Sequence, residues 1–200
     1  MSRLQRATTL PVAFFRRPAE TVAAELLGME VLTSVEGEIT SGRIVETEAY
    51  LGYDDPASHG YLHRRNARNQ ALFGPPGTWY VYLSYGMHWC ANLVCQKSGL
   101  ASAVLLRALE PVEGLEIMRR RRGGVPDGDL CSGPGKLCQA MGITRELDGQ
   151  RITQSAAIVR SSAMSERLHV AAGPRIGITK AVDWPLRFCV AGSAWTSRKQ

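Results

Sequence analysis

The sequence lacks any run approaching the roughly 20 consecutive apolar residues of a membrane-spanning helix. The opening "MSRLQRATTLPVAFFRRPAE" holds an apolar stretch too short and too interrupted for a signal peptide. Neither an internal repeat nor a long low-complexity segment is present, which argues against a solenoid. The five cysteines, Cys90, Cys95, Cys131, Cys138 and Cys189, contain no CxxC pair. Zinc ribbons and iron–sulfur loops need closer ligand pairs, so neither a metal nor a cofactor is expected. Reduced, mostly buried thiols fit a cytoplasmic or nucleoid location. Also missing are the GxSxG elbow, HExxH, GxGxxG after a strand and the GxxxxGK[ST] loop, so the local signatures of several enzyme classes are excluded.

What is present suits one packed domain spanning residues 1–200, with 44% hydrophobic residues. Lysine and arginine total 24 against 18 acids, a net charge of +6 that favours an anionic partner, nucleic acid before membrane. "RPAETVAAELLG" reads as a helix with Pro18 in its first turn and Gly28 at its stop. "MEVLTSVEGEITSGRIVETEAYLG" alternates like strands, with turn chemistry at Glu36-Gly37 and Ser41-Gly42. Residues 54–76 are polar and irregular, and a loop of that length in a compact domain usually carries function or moves. "GTWYVYLSYG" and "MHWCANLVCQ" form a hairpin turning at Tyr85-Gly86, and "SAVLLRALE" is a further strand. "PVEGLEIMRRRRGG" reads as a helix opened by Pro111, "GPGKLCQAMG" as a shorter one, and "RIGIT" and "LRFCVAG" as strands. Strands outnumber helices without regular alternation. The expected class is α+β, a largely antiparallel, curved sheet flanked by helices, with a protruding hairpin.

Three groups of residues could carry chemistry. In "GRIVETEAY", Ile44, Glu46, Glu48 and Tyr50 share one face of a strand, and residues two apart lie roughly 7 Å from one another. Two carboxylates at that spacing could flank a glycosidic bond with water between them, yet a solvated strand face would look the same. In "TWYVYLSYGMHWC", Tyr80 and Tyr82 face one way and Trp79, Val81 and Leu83 the other. Tyr85 falls at the tip, where an exposed ring resembles a wedge that props open a duplex. The basic runs "HRRNARN" and "MRRRRGG" add charge, though the second suits a solvated helix end. In "CSGPGKLCQ", Gly133, Gly135 and Lys136 would present backbone N–H groups and an ammonium at a helix start, a candidate phosphate site.

Four blocks in this order, "GRIVETEAYLGYDDPASH", "GTWYVYLSYGMHWCAN", "VLLRALEPVEGLEIMR" and "CSGPGKLCQAMGI", closely resemble the alkyladenine (3-methyladenine) DNA glycosylase family. The resemblance covers most of the chain. It implies an enzyme that hydrolyses the N-glycosidic bond of alkylated or deaminated purines in double-stranded DNA and leaves an abasic site. By the same resemblance, Glu48 activates the attacking water and Arg107 sits near Glu48 and the DNA backbone. Tyr50, His59 and Tyr82 would hold the flipped base, Asn92 would disfavour the amino group of normal guanine, and Tyr85 would fill the gap in the duplex. Glu46 is left outside the chemistry. No lysine matches a nucleophile position, so a monofunctional, monomeric hydrolase without lyase activity is expected. His88, Tyr53 and the long "CQKSGLASAV" connection depart from the family pattern and bear on which lesions fit. Two other readings compete: a non-catalytic module that binds damaged DNA, and a carbohydrate hydrolase pairing Glu46 with Glu48.

Overall fold

The long strand β2, Glu38–Tyr50, organises the molecule. Its β-branched residues (Ile39, Thr40, Ile44, Val45 and Thr47) suit a pleated backbone. The computed structural model describes residues 9–161 and 168–198. Within it, β1 (Glu30–Val35) pairs with the first half of β2 and β8 (Arg187–Val190) with the second half, both on one edge. On the other edge β5 (Ser102–Glu113) pairs along nearly the whole of β2. The sheet runs β3-β4-β5-β2-β1-β6, with β7 (Val170–Gly173) joined through β8. Here β3 is Trp79–Ser84, β4 is His88–Cys95 and β6 is Ala157–Arg160. All these pairings are antiparallel, and the sheet is strongly curled into a half-barrel, giving an α+β fold.

Helices close the sheet. After the short α1 (Val12–Phe15), α2 (Ala19–Glu25) buries Ala19, Val22 and Ala23. The Thr47 hydroxyl donates to Ala23 O at 2.8 Å, fixing α2 to β2. In the same core α3 (Leu115–Arg121) and α4 (Pro134–Met141) bury Met118, Leu137, Cys138 and Met141. Trp79, the largest fully buried side chain, donates its indole N–H to Ala157 O at 3.1 Å and so ties β3 to β6. All five cysteines are buried, and none is in a disulfide.

Three expected boundaries differ. Ser41-Gly42 is not a turn: β2 continues through it with a register shift against β5, where a Cβ on Gly42 would lie 3.0 Å from Leu109. Pro111 does not open α3. It lies in β5 opposite Gly42, at that same irregularity, where a missing N–H costs no regular ladder bond. The helix instead follows Gly114, left-handed at φ 77°, where a Cβ would lie 2.4 Å from Ile39 O. "RIGIT" is irregular rather than a strand, because the Arg175 side chain and the Ile176 amide bond to side chains and backbone of the 48–55 region. The long loop does remain largely irregular, with two 3₁₀ turns at Tyr61–His63 and Gln70–Phe73.

That loop is held by close backbone approach. Gly52 has φ +82°, and a Cβ there would lie 2.0 Å from Leu100 O and 3.0 Å from the Ala101 carbonyl carbon. Gly52→Ala must therefore displace the loop that follows Tyr50. We expect it to lower unfolding free energy by at least about 2 kcal/mol, read as a fall in the urea midpoint at unchanged m-value.

Candidate active site

The half-barrel and its loops enclose one large cleft of about 1120 Å³. That exceeds the roughly 300–1,000 Å³ of an ordinary small-molecule pocket. Tyr50 from β2, Tyr80 and Tyr82 from β3, Asn92 from β4, Arg107 from β5 and His59 from the long loop all line it. The segment 176–180 forms another wall. The sequence-expected residues therefore do converge, although they come from four strands and a loop.

The aromatic wall is rigidly packed. His59 and Tyr82 lie 4.6 Å apart at 69°, and Tyr80 and Tyr82 stack at 5.3 Å and 28°. The His59 Nδ1 shares a 2.8 Å hydrogen bond with the Tyr80 hydroxyl. Burial lowers the His59 pKa below its usual 6.5, so the ring is neutral at pH 7. The Asn92 amide nitrogen donates to Tyr80 O at 3.0 Å, which fixes the orientation of that side chain.

Glu48 is 0% exposed. Its Oε2 accepts from the Tyr50 hydroxyl at 2.9 Å and its Oε1 from the Ile176 N–H at 2.7 Å. Arg107 Nη1 stands 3.3 Å from Oε1. These three partners line the cleft, so the carboxylate sits one side chain beneath its surface rather than on its floor. Glu46 is equally buried and is held by Arg187 Nη1 at 3.1 Å, by the Ser197 N–H at 2.6 Å and by the Ser197 hydroxyl at 2.9 Å. Arg107 Nε lies 3.4 Å from Glu46, which places one guanidinium between the two carboxylates. Burial raises the Glu48 pKa; the Arg107 charge, the Ile176 N–H and the Tyr50 hydroxyl oppose that rise. The Tyr50 hydroxyl is itself pushed up by burial and by Glu48, and so stays protonated as a donor.

Tyr85 is 83% exposed at the hairpin tip with φ 50°, beside Met87 at 71%. The tip is thus an uncovered apolar prow beside the cleft, since Tyr85 also lines it. Gly133 and Pro134 begin α4, and Pro134 reaches the cleft but has no N–H to offer. The Lys136 ammonium is already bonded to Asp129 at 2.8 Å and to Ser132 at 3.1 Å, and Gly135 packs against His88. A phosphate there would compete with Asp129. The "MRRRRGG" arginines are likewise engaged: Arg119 with Glu116 and Asp127, Arg120 and Arg121 with Glu38, and Arg122 with Gln139. Besides Arg107, the cations bordering the cleft are instead Arg64, Arg68, Arg145 and Lys180.

Sequence reasoning missed several participants. Tyr80 had a usable signal, because strand parity put it on the face of Tyr82. Ile176, Arg187 and Ser197 had none, since each meets the site across more than 120 positions of chain.

A sequence model of the methylpurine-DNA glycosylase (MPG) family matches residues 13–194. A protein of Agrobacterium fabrum is 50% identical over 190 residues, covering 95% of this chain and 93% of its own. One of Rhizobium meliloti is 50% identical over 191 residues, covering 96% and 97%. One of Methanoculleus marisnigri is 48% identical over 194 residues, covering 96% and 100%. Each is provisionally named a 3-methyladenine DNA glycosylase. With the match running through the cleft and both of its buried carboxylates, the chain belongs to the methylpurine-DNA glycosylase family.

Proposed function

We propose that this protein is a DNA repair glycosylase that draws a damaged purine nucleotide out of duplex DNA and hydrolyses its N-glycosidic bond with a water activated by Glu48. The observation that carries this reading is a buried carboxylate oriented by Tyr50, Ile176 and Arg107 immediately behind an aromatic cleft. A base in a duplex stack hides its sugar carbon, so the nucleotide must be extruded before water can reach it. Unstacking costs a few kcal/mol, which stacking on aromatic rings of about 1–3 kcal/mol per base and phosphate contacts offset. Tyr50, His59 and Tyr82 supply the surfaces for the base, and Tyr85 enters the vacated step.

In the cleft, the bond from C1′ to the purine nitrogen breaks and its electron pair leaves with the base. The sugar acquires oxocarbenium character, which the negative charge of Glu48 stabilises. Water reaches Glu48 through the wall of Tyr50, Arg107 and Ile176, its oxygen bonds to C1′, and its proton passes to the carboxylate. The products are free base and an abasic site. A purine methylated at N3 or N7 is already cationic and leaves without a protein acid, whereas a neutral one such as ethenoadenine or hypoxanthine must take up a proton as it leaves. Glu46 is unsuited to be such an acid, because neither it nor its partners Arg187 and Ser197 line the cleft. With no amine nucleophile assigned, the enzyme is read as monofunctional and acting as a monomer.

A duplex carrying ethenoadenine or hypoxanthine should break at the lesion after alkali and not before it. Glu48→Gln should retain duplex binding while slowing base release by about 10²–10⁴-fold. Binding without any release by the parental protein would favour the damage-binding module instead. The same substitution should stabilise the fold. A raised carboxyl pKa means that folding disfavours the ionised form, so the penalty is present above the folded pKa and fades below it. Glu48→Gln should therefore raise Tm at pH 7, with the difference shrinking as pH falls, by calorimetry. Tyr85→Ser should weaken lesion-duplex binding by about 1–3 kcal/mol. Binding of any duplex should fall as salt rises, in titrations at fixed pH.

A further inference from the structure

The reaction just described leaves one buried cation without a role. Arg175 lies in the irregular segment between β7 and β8, and its side chain is completely covered. Nη1 donates to Asp55 Oδ2 at 2.5 Å and to Ala49 O at 3.0 Å, and Nη2 donates to Asp55 Oδ1 at 2.8 Å. Asp55 in turn accepts from the N–H groups of Leu51 at 3.1 Å and Ala57 at 3.0 Å. The guanidinium carbon also lies 4.6 Å from the centre of the Tyr50 ring. One planar cation thus grips the backbone before Tyr50 directly, the backbone after it through Asp55, and the ring between them. The next residue in the chain is Ile176, whose N–H is 2.7 Å from Glu48 Oε1. Tyr50 and Ile176 line the cleft while Arg175 does not, so it supports them from behind.

We infer that Arg175, clamped by Asp55, is a positioning residue for base excision: it fixes the Tyr50 hydroxyl and the Ile176 amide, the two neutral donors that aim the Glu48 carboxylate. This rests on the reading of Glu48 as the base that activates water. Arginine is needed because its fork can hold Asp55 with both terminal nitrogens, reach Ala49 O and sit over the Tyr50 ring at once. A lysine offers one point charge and meets only part of that demand.

The consequence is readable in pH. The groups facing Glu48 are Glu46 and Tyr50 on β2, Cys90 on β4, Arg107 on β5, Arg187 on β8, and the Ile176 amide beside Arg175. If Arg175 slackens, the amide and the hydroxyl drift while Arg107 stays. Glu48 then loses two of the influences that favour its ionised form.

The test is single-turnover release of ethenoadenine from a duplex, measured from about pH 5 to 9. Arg175→Lys is expected to move the acid limb of the rate profile up by about one pH unit, to slow release near neutrality by roughly tenfold and to leave duplex affinity within about threefold. Asp55→Asn should shift the limb in the same direction, and it serves if Arg175→Lys does not fold. Tyr50→Phe should do so too, and combined with Arg175→Lys it should add little to the larger single effect. Arg160→Lys is the control. It breaks an equally bidentate pair with Glu30, on β6 and β1, and should lower Tm without moving the limb. An Arg175→Lys profile that keeps its midpoint while Tm falls would mean that Arg175 is mere scaffolding. Parental-rate release by Glu48→Gln would instead remove the base itself, and the proposal with it.

Discussion

Glu46 and Glu48 stand two positions apart on one strand with no solvent contact, and the shared guanidinium of Arg107 makes that tolerable. Burying a carboxylate without a partner is prohibitive, and even a paired one needs its remaining lone pairs satisfied. Arg187 adds a second positive charge, so two charges of each sign are enclosed together. The Ile176 and Ser197 amides and the Tyr50 hydroxyl supply the remaining donors. Much of the surrounding architecture serves this cluster. β5 brings Arg107, β8 brings Arg187, and the central place of β2 between them brings the acids to both. The register shifts flanking Glu46 occur where the strand must present these groups.

The division of labour between the two acids follows from their partners. Glu46 is bound by a cation, a backbone amide and a hydroxyl, and faces Arg107 as well. It anchors the guanidiniums. Glu48 has donors that line the cleft, so whatever enters that space is separated from the carboxylate by a single layer of side chains. The sheet curls, and the aromatic residues of β3 complete an enclosure that Tyr50 of β2 also lines.

Local patterns in the sequence carried most of the fold and about half of the site. Alternation along "GRIVETEAY" placed Glu48 and Tyr50 on one face, and the hydrogen bond between them bears that geometry out. The β3–β4 hairpin and its exposed tip followed from turn chemistry at Tyr85-Gly86. Errors came where tertiary contacts overrode local signals. Ser41-Gly42 looked like a turn, and Pro111 like a helix start, because composition does not reveal that each sits at the same irregularity between β2 and β5. "RIGIT" has strand composition, but its backbone and its arginine are recruited by Glu48, Asp55 and Ala49. Residues such as Arg187 and Ser197 could not be placed at all, since nothing near them in the chain points to a partner at position 46.

The bond between Ser197 and Glu46 has a consequence for how the protein is made. These two residues are 151 positions apart, and Arg187 closes on the same carboxylate across 141. Contacts of such long range form late, after loop-closure entropy has been overcome. On a ribosome, strand β2 is complete well before Arg187 and Ser197 are translated. Until the distal segment emerges, the paired acids lack half of their cations. Synthesis must therefore pass through a stage in which the future core of the site either stays hydrated or carries protons in place of arginines.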